Sequence, residues 1–202
     1  MSFRKEKKYR VTKSEFHELM NSWLKNNMKP IHINRQVNSI YFDNNEYKMF
    51  HDSEEGVLLR KKVRIRWYNK KSEFKLEEKI STIEGRFKTV KSLGNIGSIC
   101  AALNYRHVDQ IYGVLEPSLK VSYERSYFLM DKMRITFDNE INYFNLRQNH
   151  AIQKRDPETV IEIKTPFGVS DDYIEKTIPY ATSRFSKYSR GLLFSFDQKT
   201  TV

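Results

Sequence analysis

Polar and apolar positions alternate along much of the chain. In residues 60–81, Arg60, Lys62, Arg64 and Arg66 take every second place, with Val63, Ile65 and Trp67 between the last of them. Further on, Phe74, Leu76 and Ile80 alternate with Lys75, Glu77 and Lys79. A period of two puts each set on its own face of a strand, so these runs predict a hairpin with one apolar and one charged face. The chain opens the same way: Arg4, Glu6, Lys8 and Arg10 share one face, and Phe3, Tyr9 and Val11 the other. "QVNSIYFDN", "RFKTVKSL", "SLKVSYERSYFLM", "MRITFDNEI" and "TVIEIKT" read as further strands. The third and fourth of these are joined by a turn at Asp131 and Lys132.

Helical spacing interrupts the strands. Phe16, Leu19, Met20, Trp23 and Leu24 form an apolar stripe behind Thr12 and Glu15, a capping box, and Pro30 lies beyond its end. "EYKMFHDS" predicts a short helix, and residues 94–116, with Ile96, Ile99, Cys100 and Leu103, predict another. Cys100 is expected to pack there as a small hydrophobe. Residues 170–194 read as one or two helices broken near Pro179. About eight strands and four or five helices give an α+β class. Long antiparallel meanders with helices outside fit a barrel, and 202 residues fit a single domain, 1–202.

Composition narrows the partner. Hydrophobic residues at 39% can build a sizeable core, and Trp23 and Trp67 are expected in it. Lys+Arg 36 against Asp+Glu 25 leaves +11, which favours nucleic acid, a phosphate compound or an acidic membrane surface. No run approaches the length of a membrane span, "MSFRKEKKYR" lacks the apolar stretch of a signal peptide, and the single Cys100 excludes an internal disulfide. These features predict a cytoplasmic protein. His17, His32, His51, His107 and His150 show no metal-ligand spacing, and no P-loop, Rossmann fingerprint or nucleophile elbow occurs.

The charged faces carry the functional signal. A half-buried sheet with one face in water explains any single strand. Residues i and i+2 on a strand lie roughly 6.6 Å apart. Like charges at that distance repel by about 0.6 kcal/mol in water and about 2.5 kcal/mol at an effective dielectric near 20. Inside a closed barrel the pattern therefore requires carboxylates and a bound polyanion. Glu6 accompanies Lys8, Glu77 accompanies Lys79, and Glu162 accompanies Lys164. Carboxylates repel nucleic acid, which is therefore disfavoured, but a metal-phosphate site uses them, because hard divalent cations bind oxygen and bridge to phosphate.

In order along nearly the whole chain come "EKKYRV", "SIYFDN", "VRIRWY", "LEEKIS", "RFKTV", "VSYERSYF", "RITFD", "IEIKT" and "FSKYSRG". This ordered set resembles the vacuolar transporter chaperone (VTC) domain, the polyphosphate polymerase branch of the triphosphate tunnel metalloenzymes. The resemblance implies a closed antiparallel β-barrel around a charged tunnel. It implies that Lys8, Arg64, Arg66, Lys79, Lys88, Arg125, Arg134 and Lys187 bind phosphate, with Ser186 as a hydrogen-bond donor. Glu162 takes the place of the carboxylate that holds Mn²⁺ or Mg²⁺, and Tyr123 sits where the family meets the nucleotide. Of these, Arg64, Arg66, Lys79, Arg134 and Glu162 are implied to be catalytic. Two points depart from the pattern. Only Glu6 precedes Lys8, where related triphosphatases open with alternating glutamates. Arg125 falls by period on the side of Val121 and Tyr123, which leaves that strand's inward face open.

The activity so implied is transfer of the terminal phosphoryl group of ATP to a growing polyphosphate chain. The alternatives are a non-catalytic polyphosphate- or phosphate-binding module and a triphosphate hydrolase of the same superfamily. A basic RNA-binding protein is a third reading. A membrane-bound partner protein and the oligomeric state stay open.

Overall fold

A computed structural model describes residues 4–69, 73–148 and 153–196. The alternating runs are strands and the class is α+β. The order is β1 (Arg4–Val11), α1 (Lys13–Lys25), β2 (Lys29–Asp43), α2 (Lys48–Glu55), β3 (Arg60–Tyr68), β4 (Lys75–Ser81), β5 (Arg86–Ser92) and α3 (Ile99–Leu103). Then come β6 (His107–Asp109), β7 (Gly113–Met130), β8 (Met133–Asn145), β9 (Gln153–Arg155), β10 (Thr159–Pro166), α4 (Asp171–Thr177) and α5 (Lys187–Phe196). Phe3 and His150 lie outside the described residues, as does the side chain of Arg4. No described helix is long and apolar enough to cross a membrane.

The chain forms two compact units. The first takes Met1–Gln36, Tyr123–Ile141 and Arg155–Phe185; the second takes Val37–Ser122, Asn142–Lys154 and Ser186–Val202.

In the first unit the strand order is β1-β10-β8-β7. β1 runs antiparallel to β10, with Lys8 opposite Glu162 and Glu6 opposite Lys164. β10 runs antiparallel to β8, with Glu162 opposite Thr136 and Lys164 opposite Arg134. One face of this sheet is therefore polar. The other face presents Tyr9, Val11, Ile135, Phe137, Ile161 and Ile163 to Leu19 and Trp23 of α1 and Ile174 of α4, in one buried cluster. Thr12 and Glu15 form the expected capping box: the Thr12 hydroxyl accepts from the Glu15 amide, and the Glu15 carboxylate accepts from the Thr12 amide.

In the second unit the order is β2-β3-β4-β5, all antiparallel. Ile40, Phe42, Val63, Ile65, Trp67 and Leu76 make its core with Met49 of α2. Arg64 lies opposite Tyr41 on one side and Glu77 on the other, and Lys62 lies opposite Lys79, which lies opposite Lys88. Helix α5 buries Tyr188 and Leu192. It sits so close that a Cβ on Gly191 would lie 2.5 Å from Cδ1 of Tyr143 and 2.7 Å from Cδ2 of Leu119.

Three expectations need correction. The sheet is open rather than closed: β1 and β5 are end strands of their orders, and neither pairs further among the described residues. Every residue of β5 is exposed, and Arg86, Lys88 and Lys91 charge it, a composition that discourages edge pairing. The helix expected over residues 94–116 is only α3, because the chain turns to β6 and β7 there. Cys100 lies in α3 but is exposed, with Ala102 the buried residue of that turn.

Candidate functional site

The polar face of the first unit gathers three of the expected residues, Arg125, Arg134 and Glu162, around a pocket. Arg125, Arg134, Thr136, Glu162 and Lys164 line it. Strand period explains the gathering: Arg134, Thr136 and Asp138 on β8 share a face with Glu162 and Lys164 on β10 and with Glu6 and Lys8 on β1. Arg125 belongs to the same pocket. Its Nε and Nη2 donate to the two oxygens of fully buried Asp138, at 2.5 and 2.7 Å. The guanidinium carbon lies 5.3 Å from the ring centroid of Tyr123, and that of Arg134 lies 6.0 Å from the Tyr127 ring. The tyrosines at positions 123 and 127 thus form an aromatic layer beneath the arginines. The apolar company that obscured the face of Arg125 in the sequence is this layer.

Charges alternate across the pocket. Glu162 Oε1 is 2.8 Å from Lys164 Nζ. The same ammonium is 3.8 Å from Glu6 Oε2, and Lys8 Nζ is 3.4 Å from Glu6 Oε1. Lys8 also donates to the Phe185 carbonyl at 3.2 Å. Burial pushes the Glu162 carboxyl up, but Arg125, then Lys164 and Lys8, outweigh it and hold it well below the usual carboxylate range. Burial likewise opposes the charge of Arg125, and Asp138 more than restores it.

The charged face of the second unit holds another set. Glu77, 4% exposed, takes Nε and Nη2 of Arg64 on one oxygen at 2.8 and 2.6 Å and Lys88 Nζ on the other at 2.7 Å. Arg66 Nη1 stands 3.6 Å from it. Burial raises the Glu77 carboxyl, and Arg64 and Arg66 overcome this and lower it to about 2. Arg64 Nη1 also donates to the Tyr41 hydroxyl at 2.9 Å. Burial opposes ionisation of that phenol, yet Arg64 and Arg66, with Lys187, bring it down to about 8. Lys79 is exposed between Lys62 and Lys88 in register. Ser186, expected as a donor to phosphate, accepts from Lys62 Nζ at 2.8 Å. Lys187 begins α5.

The expected residues therefore fall into two sets: Lys8, Tyr123, Arg125, Arg134 and Glu162 in the first unit, and Arg64, Arg66, Lys79, Lys88, Ser186 and Lys187 in the second. The sequence reading passed over Tyr41, Glu77, Thr136, Asp138 and Lys164 as site residues. Their signal was present: Glu77, Thr136 and Lys164 each sit two residues from an expected residue, Asp138 two from Thr136, and Tyr41 two from the polar Ser39.

Among the described residues no group of three His, Cys, Asp or Glu could hold a metal ion. The donor set still fits a cation that arrives with phosphate. Mg²⁺ keeps several waters and uses one or two carboxylates plus phosphate oxygens. Glu162 and Glu6, which both reach Lys164, are two such carboxylates.

The sequence model of the VTC domain matches residues 3–196. The chain belongs to the VTC domain family. No curated protein sequence matches it significantly. Solved structures share the fold of this VTC domain at low identity. A candidate adenylate cyclase from Bacillus halodurans superposes with a TM-score of 0.59 at 16% identity, over 92% of this chain and 94% of that one. A second, from Vibrio parahaemolyticus, gives 0.52 at 15%, over 95% and 98%. A candidate adenylyl cyclase from Hippeastrum, described as having a dominant triphosphatase activity, gives 0.53 at 17%, over 93% and 94%. The family model gives the VTC domain, and these neighbours share its fold.

Proposed function

We propose that this VTC domain is a polyphosphate polymerase that uses ATP as phosphoryl donor. The observation that supports this most is the first unit's pocket, where a partly buried carboxylate, Glu162, stands among Lys8, Lys164, Arg125 and Arg134. A row of cations suits the oxygens of a phosphate chain. A single well-ionised carboxylate suits a metal contact and is a poor general base.

That weakness favours transfer over hydrolysis. An attacking water must lose a proton, but the terminal oxygen of a polyphosphate is already ionised. It forms the new P–O bond to the γ-phosphorus as the bond to the β,γ-bridging oxygen breaks, and ADP leaves with the electron pair. Positioning and charge stabilisation then carry the catalysis. Arg134 and Arg125 offset charge on the transferred group, and Asp138 fixes the orientation of Arg125. Lys8 and Lys164 hold the neighbouring phosphates. In the second unit, Arg64, Arg66, Lys79, Lys88 and Lys187, with Ser186, would bind phosphate on that unit's own charged face. Tyr123, buried beneath Arg125, would back that guanidinium against the phosphates. Glu162 with Glu6 would hold a divalent cation, Mn²⁺ or Mg²⁺, which would supply positive charge to the phosphates.

The Hippeastrum structure, with its triphosphatase activity, keeps hydrolysis as the second reading. The mechanism is tested by Glu162→Gln, which retains shape and removes charge. Turnover with Mn²⁺ is expected to fall at least a hundredfold, while metal-free polyphosphate affinity stays equal or tightens. Normal turnover, or collapse of metal-free binding in a folded variant, contradicts the assignment.

A further inference from the structure

Lys164 Nζ lies 2.8 Å from Glu162 Oε1, and Lys164 faces the same pocket. The 2.8 Å contact uses Oε1 of a carboxylate whose side chain is 13% exposed. Glu6, the second candidate ligand, is tied on one oxygen to Lys8 and approached on the other by Lys164. Both carboxylates that could take a metal are thus neutralised by ammonium groups of the same sheet face. A divalent cation entering alone meets two disadvantages: it must displace Lys164 from Glu162, and it then sits beside an unpaired ammonium.

Phosphate changes that balance. Lys164 is partly exposed, its four-carbon stem is flexible, and an ammonium exchanges readily between carboxylate and phosphate oxygens. A phosphate chain between Lys8, Lys164 and Arg134 offers Lys164 a new partner and adds negative charge beside Glu162. The carboxylate is released as the ammonium leaves.

We infer that Lys164 is a positioning residue that makes metal binding at Glu162 conditional on phosphate: it occupies the carboxylate in the free protein and vacates it for the polyanion. This rests on the phosphate-binding reading above and adds an order, phosphate before metal. Such an order keeps a bare cation from occupying the site and blocking donor entry.

The test is Mn²⁺ uptake by the phosphate-free protein, read from the loss of the free-ion electron paramagnetic resonance signal. Wild type is expected to bind Mn²⁺ weakly. Lys164→Met should bind one Mn²⁺ at least tenfold more tightly, and Lys164→Met with Glu162→Gln should lose that gain. Lys164→Arg keeps the charge and should behave as wild type. Lys164→Gln serves in its place should the methionine variant fail to fold. Equal Mn²⁺ affinity in wild type and the charge-removing variant overturns the inference, as does a gain that survives Glu162→Gln. Metal-free tripolyphosphate binding to wild type, measured by calorimetry, separates the two claims. If tripolyphosphate binds and the Mn²⁺ contrast is missing, the ordering fails and the phosphate reading stands. If tripolyphosphate does not bind, the phosphate reading fails, and the ordering is overturned with it.

Discussion

The charged faces are built from buried acids that fix the arginines in place. Glu77 gathers Arg64, Arg66 and Lys88, and Asp138 takes Arg125 with two parallel bonds. An arginine so held loses less side-chain freedom when phosphate arrives. Tyr41 adds a pH response. Its phenol, lowered to about 8 by Arg64 and Arg66 against the effect of burial, donates or accepts below that pH and is an anion above it. A phenolate next to Arg64 competes with phosphate for the guanidinium. Polyphosphate affinity is therefore expected to fall severalfold as pH rises from 7 to 9, with an inflection near the phenol pKa. Tyr41→Phe should remove the inflection, and calorimetry across that range checks it. An inflection retained in the variant would assign the titration elsewhere. The cations were legible in the sequence because period 2 exposes them, and Glu162 through the family resemblance. The holding acids were harder to find. In the sequence, Glu77 stands out only as the companion of Lys79, Asp138 looks like any solvated charge, and the folded structure reveals their partners.

At the scale of elements, local pattern predicted β1, β3, β4, β10, α1 and α2 well, because each has a clean period and a clear start or stop. The turn at Asp131 and the break before α5 were equally readable. The lost elements lacked these signals. β2 begins at Lys29, before the "QVNSIYFDN" run; its residues 29–34 are all exposed, and the short alternation of Ile31 and Ile33 behind Pro30 is too brief to mark a strand. β6 and β9 have three residues each, too few for a period to show. Helix α5 carries a sharper constraint. Ala normally favours a helix over Gly by about 1 kcal/mol. At Gly191 the added Cβ would press on the Tyr143 ring and Leu119 at distances real Cβ atoms do not adopt. Overpacking of this kind costs typically 1–3 kcal/mol. Gly191→Ala is expected to lower unfolding stability by up to about 2 kcal/mol net in urea titration. A variant more stable than wild type would show that α5 packs less closely.

For the molecule as a whole, the +11 excess favours a polyanion. Composition alone left nucleic acid, phosphate and membrane surfaces open. The carboxylates among the cations narrowed that choice, since each would repel a plain phosphate backbone and serves better as a metal contact or an arginine holder. Activity is the point at which sequence, fold and charge stop discriminating, because the structural neighbours share the fold with 15–17% identity. The difference between polymerase and hydrolase lies in the acceptor: a phosphate oxygen that is already an anion, or a water that needs a base. Incubating the protein with ATP and Mn²⁺ and resolving the products on a polyphosphate-stained gel, with ADP and orthophosphate measured alongside, separates these directly. Long polyphosphate is expected, with ADP released in step with chain growth and little orthophosphate. Stoichiometric orthophosphate with no polymer would contradict the account and make the protein a hydrolase, and tight polyphosphate binding with no turnover would make it a binding module.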